Sequence, residues 1–189
     1  MGSAAGAAQF PADGLPEVAF LGRSNVGKSS LLNALAGARG LARVSAQPGR
    51  TRLVNFFRVD DEFYLADLPG YGYAKVPEQM RQEWESLAVS YLVGRAPIAL
   101  CVFLVDLRHD PQPGDLTMRA FLDQHELPYV VAATKADKLG RGQAEQRRRK
   151  LEAGLGNTSS GVFAVSSETK AGIPELWKTV RAAALAHGA

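Results

Sequence analysis

The chain has 189 residues, 46% of them hydrophobic and 22% charged, with a net charge of +3 and a pI near 9.1. These values are ordinary for a soluble globular protein, and the length suffices for one domain with a full core. No apolar run approaches the ~20 residues that span a bilayer, residues 1–9 lack the basic and long apolar regions of a signal peptide, and the single cysteine excludes an internal disulfide, which suits a cytoplasmic protein.

Residues 1–15 are read as a flexible N-terminal segment, the first nine of them without a role, and residues 16–189 as one domain. The apolar run 18–21 predicts a buried strand, and Leu31, Leu32 and Leu35 mark one face of a helix over 28–36. Residues 37–50 have no clear period and read as a long loop of the functional kind. Runs 53–59 and 63–66 are separated only by Asp60-Asp61-Glu62, too short for a parallel crossover, so they form a hairpin. A helix follows over 78–93, with Trp84, Leu87, Tyr91 and Leu92 as its core face. Strands at 98–105, 129–133 and 162–165 then alternate with helices at 114–125, 142–155 and 173–186. The strands are apolar on both faces, as in a largely parallel sheet covered by helices. The expected fold is therefore a three-layer α/β domain with a six-stranded, mixed but mostly parallel sheet and about five helices. Ligands of such sheets bind beyond the carboxyl ends of the strands. Cys101 falls within an apolar strand and reads as a packing residue.

Between the first strand and the first helix lies Gly22-Arg23-Ser24-Asn25-Val26-Gly27-Lys28-Ser29, which fits the phosphate-loop pattern G-x-x-x-x-G-K-[ST] at every fixed position. A strand-to-helix turn aims backbone N–H groups and the positive end of the helix dipole at one point. Gly22 and Gly27 let the backbone approach phosphate oxygens, Lys28 reaches the β- and γ-phosphates, and Ser29 holds Mg²⁺. Thr51, within Gly49-Arg50-Thr51-Arg52-Leu53 at the end of the long loop, can bind the same metal ion and the γ-phosphate. Release of that contact would give a switch. Asp67-Leu68-Pro69-Gly70 places D-x-x-G at a strand end, where the Asp holds a metal-bound water and the Gly N–H bonds the γ-phosphate. The loop through Tyr71-Gly72-Tyr73-Ala74 would be a second switch.

The base is read from Thr134-Lys135-Ala136-Asp137, the [NT]-K-x-D pattern. A carboxylate accepts from guanine's N1–H and amine together, whereas adenine would present a lone pair to it. The Lys135 stem can lie along the base, and Val165-Ser166-Ser167 offers a backbone N–H to the guanine carbonyl. Two basic stretches could touch a polyanion: Arg39, Arg43, Arg50, Arg52 and Arg58 around the first switch, and Arg147-Arg148-Arg149-Lys150. His109, His125 and His187 have no neighbours at zinc-ligand spacing.

These motifs occur in the order of a translation-factor-related P-loop GTPase of the Ras-like class. The stretch 22–33, Pro48-Gly49-Arg50-Thr51, Asn55-Phe56-Phe57, residues 67–74 and Ser166-Ser167-Glu168-Thr169-Lys170 together resemble the EngB-type ribosome-biogenesis GTPases, from about Phe10 to the last helix. The resemblance implies Mg²⁺-dependent GTP binding, slow hydrolysis to GDP and phosphate, a switch role in assembling the large ribosomal subunit, and a link to cell division and septation. Ribosomal RNA or a large-subunit precursor would be the partner of a monomer with no membrane association.

Catalysis has a gap, because Tyr71 stands where Ras-like enzymes carry a water-orienting Gln. The catalytic set read from the sequence is Lys28, Thr51, Asp67, Gly70 and Asn25. Asn25 resembles the residue with which some GTPases hold K⁺ beside the phosphates, where a cation could neutralise developing charge, or it supports the loop. Arg50 or Arg52 is a weaker candidate for that charge. Two other functions stay open: an RNA- or ribosome-binding module with guanine nucleotide as a structural ligand, and a nucleotide kinase or ATPase, against which Asp137 speaks.

Overall fold

The computed structural model describes residues 2–37, 53–72, 78–156 and 161–188, without the side chains of residues 78–81 and 84. Gly49, Arg50, Thr51 and Arg52, with Arg39, Arg43, Tyr73 and Ala74, lie outside the described residues, as does the side chain of Trp84.

The strands are β1 (Gly2–Ala4), β2 (Glu17–Gly22), β3 (Val54–Val59), β4 (Phe63–Asp67), β5 (Ile98–Asp106), β6 (Tyr129–Thr134) and β7 (Val162–Ala164). They form one sheet in the order β1-β3-β4-β2-β5-β6-β7. Strands β3 and β4 are the expected hairpin, with Phe56 opposite Ala66. The pairs β4–β2, β2–β5, β5–β6 and β6–β7 are parallel. Seven described strands replace the expected six because β1 pairs antiparallel with β3, Ser3 opposite Asn55, and the Ser3 hydroxyl donates to Asn55 Oδ1 at 2.8 Å. Gly, Ser and Ala carry little strand preference, so an edge partner and not local sequence makes this element.

The helices are α1 (Lys28–Leu35), α2 (Glu78–Leu92), α3 (Pro113–Gln124), α4 (Arg141–Leu155) and α5 (Ile173–His187), within a residue of the expected bounds. Period-two alternation divides the strands between two cores. Ala19, Leu21, Cys101, Phe103, Val105, Val131 and Ala133 pack with Leu87, Tyr91 and Leu92 of α2, Leu122 of α3, and Leu151 and Leu155 of α4. Val18, Phe20, Val102, Leu104, Val130 and Ala132 face the other way, onto Leu31, Leu32 and Leu35 of α1 and Leu176, Val180 and Ala184 of α5. Cys101 is fully buried, and burial pushes its thiol up to about 12, consistent with a packing residue. Among the described residues no helix is long and apolar enough to cross a membrane.

At the amino ends of the parallel strands, Glu17 is 1% exposed. It accepts from Arg95 Nε at 2.7 Å and Tyr91 Oη at 2.7 Å, and is bridged a second time by Arg95 Nη2. Arg95 also donates to the Pro11 carbonyl at 2.9 Å and lies over the Phe10 ring. Phe10 meets Tyr91 edge-on at 5.3 Å between centroids. This cluster joins the N-terminal segment, the start of β2 and the end of α2.

Candidate nucleotide-binding site

Strand β2 ends at Gly22 and α1 starts at Lys28, so residues 22–27 make the turn at the carboxyl edge of the sheet. A Cβ on Gly22 would lie 2.9 Å from Val26 Cγ1 and 3.0 Å from Leu104 Cβ, so glycine is needed for β2 to run beside β5 into the turn. Asn25 has φ 63°, unusual for a residue with a side chain. The turn is held from β6: Thr134 Oγ1 donates to the Val26 carbonyl at 2.7 Å, and Lys135 Nζ donates to the Asn25 carbonyl at 2.9 Å. The phosphate-loop and base-recognition motifs, more than a hundred residues apart in sequence, are thus directly bonded.

The D-x-x-G segment joins them from β4. Asp67, the last residue of that strand, is 5% exposed and its carboxylate forms an ion pair with the Lys28 ammonium. Leu68 N–H donates to the Phe20 carbonyl at 3.3 Å, so the chain leaves β4 alongside β2. Ser29 is half-buried in the first turn of α1. The Ser29 hydroxyl and the Asp67 carboxylate are hard oxygen donors, the class Mg²⁺ prefers. Among the described residues, no group of three or more His, Cys, Asp or Glu is placed to hold a metal ion by itself. Leu53, half-buried, immediately precedes β3.

At the base-recognition end, Asp137 lies in a short 3-10 turn, residues 136–138, after β6. Ser166 Oγ donates to its Oδ1 at 2.8 Å, and Lys138 pairs with its Oδ2 at 3.1 Å. The Ser166 hydroxyl holds the carboxyl below the usual range, against the opposing effect of burial and with help from Lys138. Ala136 N–H donates to the Val165 carbonyl at 3.1 Å, docking this turn onto the chain after β7. The backbone N–H of Ser166 is committed to the Ala171 carbonyl at 2.9 Å, so the structure gives Ser166 the task of orienting Asp137 through its hydroxyl.

One residue of this constellation carried no motif in the sequence. Asp106, the last residue of β5, accepts from Lys135 Nζ at 2.8 Å. It also accepts from Arg108 Nε at 2.9 Å, Nη2 at 2.7 Å and the Arg108 backbone at 3.1 Å. Burial alone would raise Asp106, but Arg108 and Lys135 outweigh it and hold the carboxyl well below the carboxylate range. Lys135 itself sits at φ 63°, a conformation paid for by these bonds. The only available signal was an Asp ending a long apolar strand at the ligand edge.

A group whose folded pKa is depressed stabilises the fold above its unfolded value and loses that contribution as the pH falls through the folded one. Asp106→Asn is therefore expected to cost about 1–3 kcal/mol at neutral pH. The difference from wild type should shrink as the pH falls below about 4, where the unfolded carboxyl takes up its proton. Urea midpoints between pH 7 and pH 3 measure this; parallel curves would show that Asp106 carries no such charge pairing.

The basic run on α4 is balanced by acids. Arg147 pairs with Asp110 at 3.0 Å, Arg148 with Glu145 and Glu152, Arg149 with Glu145, and Lys150 with Asp110. Of the five arginines near the first switch, Arg58 is described and pairs with Asp61 at 3.0 Å.

Residues 17–135 match the family described as 50S ribosome-binding GTPase. Probable GTP-binding protein EngB of Streptococcus agalactiae is 45% identical over 179 residues, covering 94% of this chain and 90% of that protein. The protein of the same name from Pediococcus pentosaceus is 43% identical over 173 residues, covering 91% and 89%. In fold, the chain is similar to a crystal structure of a probable GTP-binding protein engB, with a TM-score of 0.75 at 23% identity, covering 89% of this chain and 98% of that one. It is also similar to Era in complex with MgGDPNP and nucleotides 1506-1542 of 16S ribosomal RNA, with a TM-score of 0.70 at 24% identity, covering 88% of this chain and 55% of that one. The chain belongs to the EngB family of GTP-binding proteins, within the P-loop GTPases.

Proposed function

We propose that this protein is a slow, Mg²⁺-dependent GTPase that serves as a nucleotide switch during assembly of the large ribosomal subunit, with normal septation depending on that role. The observation that carries the nucleotide reading is the bonding of Lys135 and Thr134 to the turn 22–27, with Asp137 fixed beside them by Ser166. Such an arrangement can hold a phosphate chain and a purine at a fixed separation.

In this reading Gly22, Arg23, Ser24, Asn25, Val26, Gly27, Lys28 and Ser29 form the phosphate site. Lys28 stands between two anions, since it pairs with Asp67 in the structure and a γ-phosphate would compete for the same ammonium. Ser29, Thr51 and, through a water, Asp67 would hold Mg²⁺, which would supply charge neutralisation to the phosphates. The Gly70 N–H bonds the γ-phosphate, flanked by Leu68 and Pro69. Gly49, Arg50, Thr51, Arg52 and Leu53 close the site from the first switch. Thr134, Lys135, Ala136 and Asp137, with Val165, Ser166 and the Ser167 N–H, hold guanine. Asn25 has an exposed side chain, open to a K⁺ beside the phosphates, and exchanging K⁺ for Na⁺ in the hydrolysis assay checks that role. The ribosomal partner is supported by the family description and by the arginines around the first switch.

A second reading, in which nucleotide is a structural ligand of an RNA-binding module, is favoured by one observation. The Tyr71 phenol is directed to Asp115 at 3.3 Å, and so is engaged away from any attacking water. Calorimetric titration with GDP, a non-hydrolysable GTP analogue and ATP, in K⁺ and Mg²⁺, is expected to show guanine-only binding. Equal ATP binding would overturn the guanine assignment, and absence of multiple-turnover phosphate release would favour the module.

A further inference from the structure

The segment after D-x-x-G is fastened at two levels. Its main chain lies on the phosphate loop: Tyr71 N–H donates to the Gly22 carbonyl at 3.3 Å and Ser24 N–H to the Tyr71 carbonyl at 2.9 Å, a parallel bridge between Arg23 and Tyr71. Gly70 is pressed against the turn so closely that a Cβ there would lie 3.2 Å from both the nitrogen and the Cα of Ser24. The side chain of Tyr71 runs the other way, to the first turn of α3. Its ring packs over Gly114, where a Cβ would stand 3.5 Å from a ring carbon. Its hydroxyl donates to Oδ1 of Asp115 at 3.3 Å.

Asp115 is a prepared acceptor. It is 2% exposed, and its Oδ2 accepts the Gln112 backbone N–H at 2.9 Å as part of the helix cap. Burial, with the Asp106 charge, raises its pKa above the ordinary value, and the Gln112 N–H, the Arg23 guanidinium and the Tyr71 hydroxyl oppose that shift without reversing it. Burial, with Asp115 beside it, pushes the Tyr71 phenol far above its ordinary range, so it remains a donor. Arg23 also flanks the segment, its Nε 3.5 Å from the place a Cβ on Gly72 would occupy.

We propose that Tyr71, anchored on Asp115, is a positioning residue for Gly70: the anchor holds the Gly70 N–H at the phosphate loop, so that it discriminates a nucleoside triphosphate from a diphosphate. This rests on the reading above that the Gly70 N–H bonds the γ-phosphate. The aromatic residue thereby takes up a position from which it cannot orient water and uses it to fix a backbone donor. A donor fixed by the fold itself avoids an ordering cost at binding.

The test is the ratio of affinities for a non-hydrolysable GTP analogue and for GDP, measured by calorimetry on the full chain. Tyr71→Phe keeps the ring and leaves the Asp115–Gln112 cap intact, removing one hydrogen bond to a charged group. It is expected to weaken the analogue roughly 10- to 15-fold while GDP stays within about 2-fold, the low end of the range for such a bond. Asp115→Asn should shift the ratio in the same direction. Equal weakening of both nucleotides would reveal a merely structural contact, and an unchanged ratio or a tighter analogue would equally overturn the proposal. Gly70→Ala separates the two ideas. If it leaves the ratio unchanged, the assignment of Gly70 to the γ-phosphate fails; if it lowers the ratio and Tyr71→Phe does not, the anchor alone fails.

Discussion

Asp137→Asn is expected to lower affinity for GDP and GTP by about 10²- to 10⁴-fold, the loss of two hydrogen bonds to a charged acceptor at about 1.5–3 kcal/mol each. The carboxylate is fixed by Ser166 and held below the usual pKa range, so at neutral pH it only accepts. Asparagine presents one donor and one acceptor in the same place. Its amide N–H would face the exocyclic amine of guanine, donor against donor. Xanthine carries a carbonyl oxygen there and keeps the N1–H, so the variant should bind xanthosine nucleotides better than guanosine nucleotides. Titration of both proteins with GDP and XDP measures the exchange. Loss of both nucleotides to the same extent would mean that Asp137 serves the turn at residues 136–138 and does not read the base.

Arg95→Ala is expected to destabilise the fold by about 3–5 kcal/mol, because removing one partner of a buried pair leaves the other charge uncompensated. Among the described residues, Glu17 would keep only the Tyr91 hydroxyl as a side-chain donor. For a domain of this size that loss corresponds to roughly 6–20 °C in Tm. Arg95→Lys keeps the charge but not the two-pronged geometry, and should fall between. The site at the opposite end of the strands is not touched, so GDP affinity of the folded fraction should be retained. Thermal melting with and without GDP tests both statements; a change below about 1 kcal/mol would place the pair among ordinary surface bridges.

Motif spacing and apolar period located the hairpin, the alternation of strands and helices, and four of the loops that meet at the carboxyl edge. These features are local, each set by residues within a few positions of one another. What escaped was pairing over distance. The Gly2–Ala4 strand exists through its partner β3, and nothing in Gly-Ser-Ala announces it. Glu17 and Arg95 are separated by 78 positions and each looks like a surface residue. Asp106 ends an apolar strand without a signature, although it holds Lys135 in place. Tyr71 was visible as a departure from the Ras-like pattern, but its partner Asp115, in the first turn of α3, was not. The α4 basic run showed its charge in sequence, while two of the balancing bonds come from Asp110, which precedes α3.

The cluster at Glu17 has a mechanical consequence for α2. This helix starts eight residues after Gly70 and ends beside the pair, with Tyr91 and Leu92 buried and Arg95 locked to the first residue of β2. It is a lever of 15 residues, roughly 22 Å long, whose fulcrum lies at the carboxyl end. A displacement delivered at its amino end would be expressed as rotation about Tyr91, and a tilt of about 5° would swing that end by about 2 Å. With the carboxyl end held, such a motion would be concentrated on the edge of the molecule that carries the phosphate loop.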